Sequence, residues 1–118
     1  MFERAGHTYF MWSEGNWTQA DYRVAYGMAD SPLGPFERLG TVLQADTTLA
    51  TGAGHHSVLY LSEPDEWYLV YHRRPIPNED RDHRVVCIER MYFDEKGHIL
   101  PISLTRKGVP ARALPFAD

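Results

Sequence analysis

The sequence predicts an all-β fold, and three observations carry that reading. Seven short segments are rich in Val, Tyr, Trp, Phe and Ile, residues that suit a pleated, half-buried surface. Clusters of Gly, Pro, Asp and Ser separate them. A pattern also recurs: Tyr9–Ser13 resembles Tyr68–His72 at an offset of 59, and Arg23–Tyr26 resembles Arg84–Cys87 at an offset of 61. Two nearly equal offsets point to one unit of about four strands used twice, as antiparallel β-propeller blades would be. A sandwich of hairpins is the alternative.

The expected strands follow in order. His7–Ser13 carries Tyr9, Phe10 and Trp12, and Tyr22–Ala29 carries Tyr22, Val24 and Tyr26. The turn cluster Asp30-Ser31-Pro32-Leu33-Gly34-Pro35 divides the latter from Phe36–Leu43. After the flexible entry Gly52-Ala53-Gly54 comes Ser57–Leu61, then the turn Ser62-Glu63-Pro64-Asp65 and the aromatic strand Glu66–His72. His83–Phe93 holds Val85-Val86-Cys87-Ile88, and Asp94-Glu95-Lys96-Gly97 turns the chain into Ile99–Leu104. The first unit covers about residues 1–50 and opens at its second strand, with Phe2-Glu3-Arg4 as the tail of its first. The second covers about 51–106 and is complete, and 107–118 form a tail. Two blades leave edges and an apolar face unpaired, so the chain is expected to be part of a larger propeller, or to need other chains.

Strand direction alternates in such a unit. Gly52–His56, Ser13–Asp21 and His72–His83 therefore share one rim, which gathers the longer loops bearing His, Arg and Trp. The tight turns at Asp30–Pro35, Ser62–Glu66 and Asp94–Gly97 fall on the other. Functional groups on long loops over a rigid scaffold are the expected arrangement.

Composition narrows the function classes. The 118 residues suffice for one small domain or part of a larger one. The net charge is −4, and no basic run offers a nucleic-acid surface. Cys87 is the single cysteine, which excludes an intrachain disulfide and a cysteine zinc site; it is expected to act as a small core hydrophobe. No apolar run reaches membrane-spanning length, and Met1-Phe2-Glu3-Arg4 lacks signal-peptide regions. Location is left open between cytoplasmic and secreted. Three Trp, seven Tyr and five Phe are many for this length; aromatic faces stack on sugars, although they also fill β-cores.

Among chemistry-bearing residues, His55 opens an inner strand after the glycine lead-in, where it could bind a metal or anchor water. Arg73 and Arg74 could clamp a carboxylate or an acidic sugar. Ser57 lacks a nucleophile-elbow context. Glu14 is the best carboxylate on the loop rim, and its simpler reading is a loop acid. Glu63, Asp65, Glu66, Asp94 and Glu95 fall on the turn side and are expected to be solvated. Glycoside hydrolysis needs two positioned carboxyl groups, and no such pair stands out.

The pieces Tyr9–Gly15, Asp21–Tyr26, Asp30–Phe36, Gly52–Ser57, Trp67–Pro75 and His83–Ile88, in this order and spacing, resemble glycoside hydrolase family 43 from Phe2 to about Val109. The resemblance implies a five-bladed β-propeller, inverting hydrolysis of arabinose- or xylose-containing plant polysaccharides, and three catalytic carboxylates. Those carboxylates are two Asp from earlier blades and a Glu just before the segment matching Phe2, so none is expected within this chain. His55 matches a histidine that contacts a central calcium or sodium, often through water. Arg74, before Pro75, matches a substrate-site arginine, with His56, Trp17 and Arg73 as neighbouring substrate contacts. The Tyr71-His72-Arg73-Arg74-Pro75 pattern is most similar to the arabinofuranosidase branch. The expected function is thus the C-terminal part of a glycosidase, an exo-α-L-arabinofuranosidase first and a β-xylosidase second. A non-catalytic carbohydrate-binding domain and a structural β-domain that assembles with a partner are the alternatives.

Overall fold

The computed structural model describes residues 1–113, which form eight strands and, among these residues, no helix. The first sheet has the order β1 (Phe2–Arg4), β2 (His7–Glu14), β3 (Arg23–Ala29) and β4 (Glu37–Gln44), each antiparallel to the next. In the second, β7 (Glu66–Pro75) is central. One of its edges carries β8 (Val85–Met91) and the other both β5 (Ala50–Thr51) and β6 (His56–Leu61). The all-β expectation and the two antiparallel four-stranded sheets hold. The expected tail over 107–118 is described only to Ala113; residues 114–118 lie outside the described residues.

Two elements differ from expectation. The inner strand of the second sheet is broken. β5 pairs with Arg74 and Pro75, β6 pairs with Glu66–Tyr71, and Gly52–His55 bridge the gap. One backbone bond, His72 N–H to the His55 carbonyl at 3.3 Å, spans the break. Ile99–Leu104 is not a strand. It makes only isolated bridges, Ile99 to Phe93 and Ile102 to Leu43, and the Ile102 N–H donates to Val42 O at 2.7 Å. Pro101 has no N–H to give a ladder and fixes its φ, so the chain leaves its own sheet here and lies along β4.

One core joins the sheets. Tyr9, Val24, Tyr26, Val42 and Leu43 of the first pack with Trp67, Leu69, Tyr71 and Met91 of the second. Fully burying side chains such as Leu43 and Leu69 stabilises the fold by roughly 1.5–3 kcal/mol each. Phe2 stacks on Tyr9 at 4.7 Å and leans on Trp67 at 4.9 Å, so β1 is held by aromatic contact with both sheets. Two buried tyrosine hydroxyls are satisfied across the seam. The Tyr9 hydroxyl donates to Gly97 O at 2.6 Å, and the Tyr26 hydroxyl accepts from Ile99 N–H at 3.2 Å.

Two residues, Cys87 and Glu66, depart from their expected settings, and Glu89 adds a buried acid. Cys87 is only half-buried at the edge of this core, and burial raises its thiol pKa. Glu66 is not simply solvated. Its carboxylate accepts from the Tyr68 hydroxyl and from Arg112, with Arg90 at 3.5 Å. Glu89, an acid within the apolar β8 run, is buried and accepts from Tyr71, the Thr105 N–H and the Thr105 hydroxyl at 2.7–3.1 Å. Those donors satisfy it and pin the 105 turn to β8.

Candidate functional site

The break in the inner strand creates the site. At Gly52 φ is +66°, and a Cβ there would lie 2.9 Å from Trp17 O and 3.1 Å from the Arg74 Cδ. Only glycine suits both the left-handed backbone and the contact. At Gly54 a Cβ would fall 2.6 Å from the Tyr22 ring. The glycines thus let the β2–β3 loop press against the gap. The Ser13 hydroxyl then donates to Gly54 O at 2.6 Å.

Arg74 lies at the loop rim but is buried, 7% exposed, which corrects the expectation of an open group that clamps a carboxylate or an acidic sugar. Its aliphatic stem fills the space left by the missing Gly52 Cβ. Its Nε donates to Arg81 O at 3.1 Å and its Nη1 to Thr18 O at 2.9 Å. One guanidinium therefore ties the β2–β3 loop to the β7–β8 loop, which a fork of fixed donors does well. Asn78 extends the tie. Its amide donates to the Arg74 and Pro75 carbonyls, and its Oδ1 accepts from the Thr51 hydroxyl at 2.9 Å.

Trp17 sits above this clamp, half-buried, with the Arg81 and Arg84 guanidiniums 5.1 and 5.2 Å from its ring centre. At the inner edge, His56 Nδ1 lies 2.8 Å from Gly54 O, so it donates there and leaves Nε2 as an acceptor. Burial lowers the His56 pKa, the Gly54 bond opposes that shift, and neighbouring His55 adds to it. The exposed His55 ring stacks on His72 at 5.0 Å, and burial lowers the His72 pKa as well. His55, His56, Trp17 and Arg74 therefore share one rim. Arg73 diverges. The pleat turns adjacent residues of β7 to opposite faces, and Arg73 Nη1 donates to the Tyr71 hydroxyl at 3.2 Å instead.

Two expectations meet chemical tests here. Among the described residues no group of three or more His, Cys, Asp or Glu could share a metal ion. A hard cation such as calcium needs several oxygen donors, and the imidazoles around His55 do not supply them. These residues by themselves do not fit a calcium site. Glu14 accepts from Arg38 Nε at 2.8 Å, Arg23 Nε at 2.9 Å and Trp12 Nε1 at 3.2 Å. Those bonds, Arg38 first, lower its pKa to about 2. It is ionised at any pH where a proton donor is needed and binds strand ends together. Arg81, Arg84 and Asn78 were not among the expected site residues. Only aligning the two units as blades, so that both second-to-third-strand loops meet, could have pointed to them.

Comparison with known proteins agrees with this architecture. The family described as Glycosyl hydrolases family 43 matches residues 1–99. The chain is 45% identical to Beta-D-galactofuranosidase xynD of Aspergillus niger over 97% of this chain and 34% of that protein. It is 28% identical to a Beta-xylosidase of Xylanibacter ruminicola over 84% of this chain and 28% of that protein. A solved thermostable family-43 glycoside hydrolase superposes with a TM-score of 0.78 at 28% identity, over 95% of this chain and 37% of that one. The chain therefore spans about a third of the length of such relatives. Its two sheets correspond to blades of that family's five-bladed β-propeller. With the family match running from β1 past β8, and the fold following it, the chain belongs to glycosyl hydrolase family 43.

Proposed function

We propose that the chain supplies two blades of an exo-acting glycosidase that removes terminal α-L-arabinofuranosyl groups from plant polysaccharides, with β-D-xylosyl groups as the second substrate. The observation that carries this reading is the 45% identity to a furanosidase over nearly the whole chain. An α-L-arabinofuranosyl ring and a β-D-galactofuranosyl ring share their configuration at every ring carbon and differ in the exocyclic arm. A pocket shaped for one ring suits the other up to that arm. The xyloside alternative draws on the 28% relative.

Inverting hydrolysis uses one carboxyl to protonate the leaving oxygen and another to activate water. Glu14 is held ionised by two guanidiniums, Glu89 is enclosed by Tyr71 and Thr105, and Glu66 is paired with Arg112. The catalytic carboxylates in this reading come from polypeptide outside these two blades. His56 and Trp17 contact sugar, and Arg74 holds the loops that present Trp17.

A chimaera tests this. Residues 1–118 replace the matching third of the Aspergillus niger enzyme, and nitrophenyl glycosides are assayed beside the isolated chain. The chimaera is expected to cleave the two furanosides at least about tenfold faster than the β-xyloside, a selectivity ordinary for shape complementarity. The isolated chain is expected to be inactive. A xyloside preference, or robust turnover by the isolated chain, overturns the reading.

A further inference from the structure

We infer that Trp17, flanked by Arg81 and Arg84, is the platform for the second sugar of the glycan, the one left behind when the terminal group departs. This rests on the furanosidase reading above and names the part of the site that meets the leaving group.

Position points to that role. β1 and the broken β5–β6 strand are the inner strands, and they flank a cavity of about 430 Å³ that His56 and Ser57 also line. Inner strands of a propeller line its channel. Trp17 stands on the loop joining the second and third strands of its sheet. Its carbonyl lies against Gly52 in the gap of the inner strand, while its ring reaches out to Arg84 beside β8, so the ring stands one to two strand spacings from the channel, roughly 5–10 Å, the span of one further sugar ring.

Chemistry agrees with position. An indole offers a flat apolar surface for the axial hydrogens of a sugar, and the two guanidiniums standing over its ring at 5.1 and 5.2 Å are drawn there by cation–π attraction and edge the place a sugar would take. Each guanidinium is a donor-only group facing an acceptor-rich ligand. Both are available. The Arg81 side chain is 73% exposed and makes only a loose 3.9 Å approach to Asp82, while the exposed Arg84 pairs with no carboxylate among the described residues. Built support lies underneath. Arg74 anchors the backbone on both sides of the platform, at Thr18 O and at Arg81 O, so it is a positioning residue. Trp12 and Trp67, the other two tryptophans, are engaged elsewhere, with Glu14 and with Phe2 and Tyr60.

The test uses the 118-residue chain with nitrogen-15 label, so that its three indole N–H resonances are read separately. Titrant one is an arabinoxylo-oligosaccharide of three sugars, and titrant two is free L-arabinose. The trisaccharide is expected to shift the Trp17 indole alone, and arabinose to leave it in place. Arg84→Ala is expected to weaken the trisaccharide effect by about fivefold or more, as loss of a charged hydrogen bond does. An unmoved Trp17 resonance, equal shifts at all three indoles, or an unchanged Arg84→Ala titration overturns the platform. Because this readout is binding by the chain itself, it stands apart from the furanoside preference that the chimaera reports.

Discussion

On the turn rim, Asp94 accepts hydrogen bonds from the Lys96 and His98 N–H groups, and the Ser31 hydroxyl accepts from the Leu33 N–H. Every one of these bonds closes within four residues. On the loop rim, Arg74 reaches Thr18 across 56 residues, Ser13 reaches Gly54 across 41, and Asn78 reaches Thr51 across 27. The first rim is a set of turns whose side-chain caps are local, with the Asp94–Gly97 turn also tied to the core by the Tyr9 hydroxyl at Gly97 O. The second is a single network in which each loop's conformation depends on another's. A site that must hold several side chains in register gains from the second design and carries its vulnerability.

That contrast breaks most sharply at Gly52. Gly52→Ala adds left-handed strain and a contact with Trp17 O and Arg74 together. It should cost about 2–4 kcal/mol in denaturant unfolding. A cost below about 0.5 kcal/mol, ordinary for a neutral surface site, would show that the loops yield independently. Arg74→Ala comes next. It strips donors from two partly buried carbonyls and should cost about 2 kcal/mol, with Arg74→Lys near half of that. Amide exchange should quicken over residues 15–22 and 76–84 together while 92–98 stay protected; faster exchange in only one loop would refute the clamp.

Acidification sharpens the comparison without mutation. His56 and His72 have folded pKa values below the ordinary 6.5 because burial disfavours their charged forms. The unfolded chain then binds more protons, so their contribution is complete above pH 6.5 and declines as pH falls below it. The turn-rim Asp94 is shifted below 3.8 by its backbone hydrogen bonds, first that from His98, and so loses its contribution only at lower pH. Amide protection at residues 52–56 and 72, measured against the intrinsic exchange rate at each pH, should therefore fall between pH 6.5 and 5, before the Asp94 turn responds. The reverse order would undo the assignment of the two histidines as neutral groups. The smallest effect is expected at Leu33, 95% exposed on the turn rim. Leu33→Ser should change stability by less than about 0.5 kcal/mol, and a larger loss would mean that this turn packs against something beyond its own backbone.

The same divide governs how much could be read from residues alone. Strands β2, β3, β4, β6 and β7 follow from local aromatic and β-branched runs, and the turns between them from Pro, Gly and Asp at fixed places. β5 escapes because two residues carry no pattern. The 99–104 segment reads as a strand until Pro101 is weighed against the ladder it would have to join. The burial of Arg74 was not legible. Nothing near position 74 says that its guanidinium will be consumed by carbonyls of Thr18 and Arg81, because that depends on how two loops meet. Glu89 misleads in the opposite sense, since an acid inside an apolar run looks misplaced until Tyr71 and Thr105 supply its donors. The rim as a place was readable from strand alternation; the division of labour within it was not.

The common core has one more consequence. The two sheets are joined by a short connection whose Asp46 carboxylate caps the exposed Thr48, so the covalent link is a surface turn. The cohesion lies elsewhere, in Phe2, Tyr9 and Tyr26 gripping Trp67, Gly97 and Ile99. A polypeptide nicked between Thr47 and Thr48 should therefore remain one particle, and the two halves, made separately, should find each other and reconstitute the same pair of sheets.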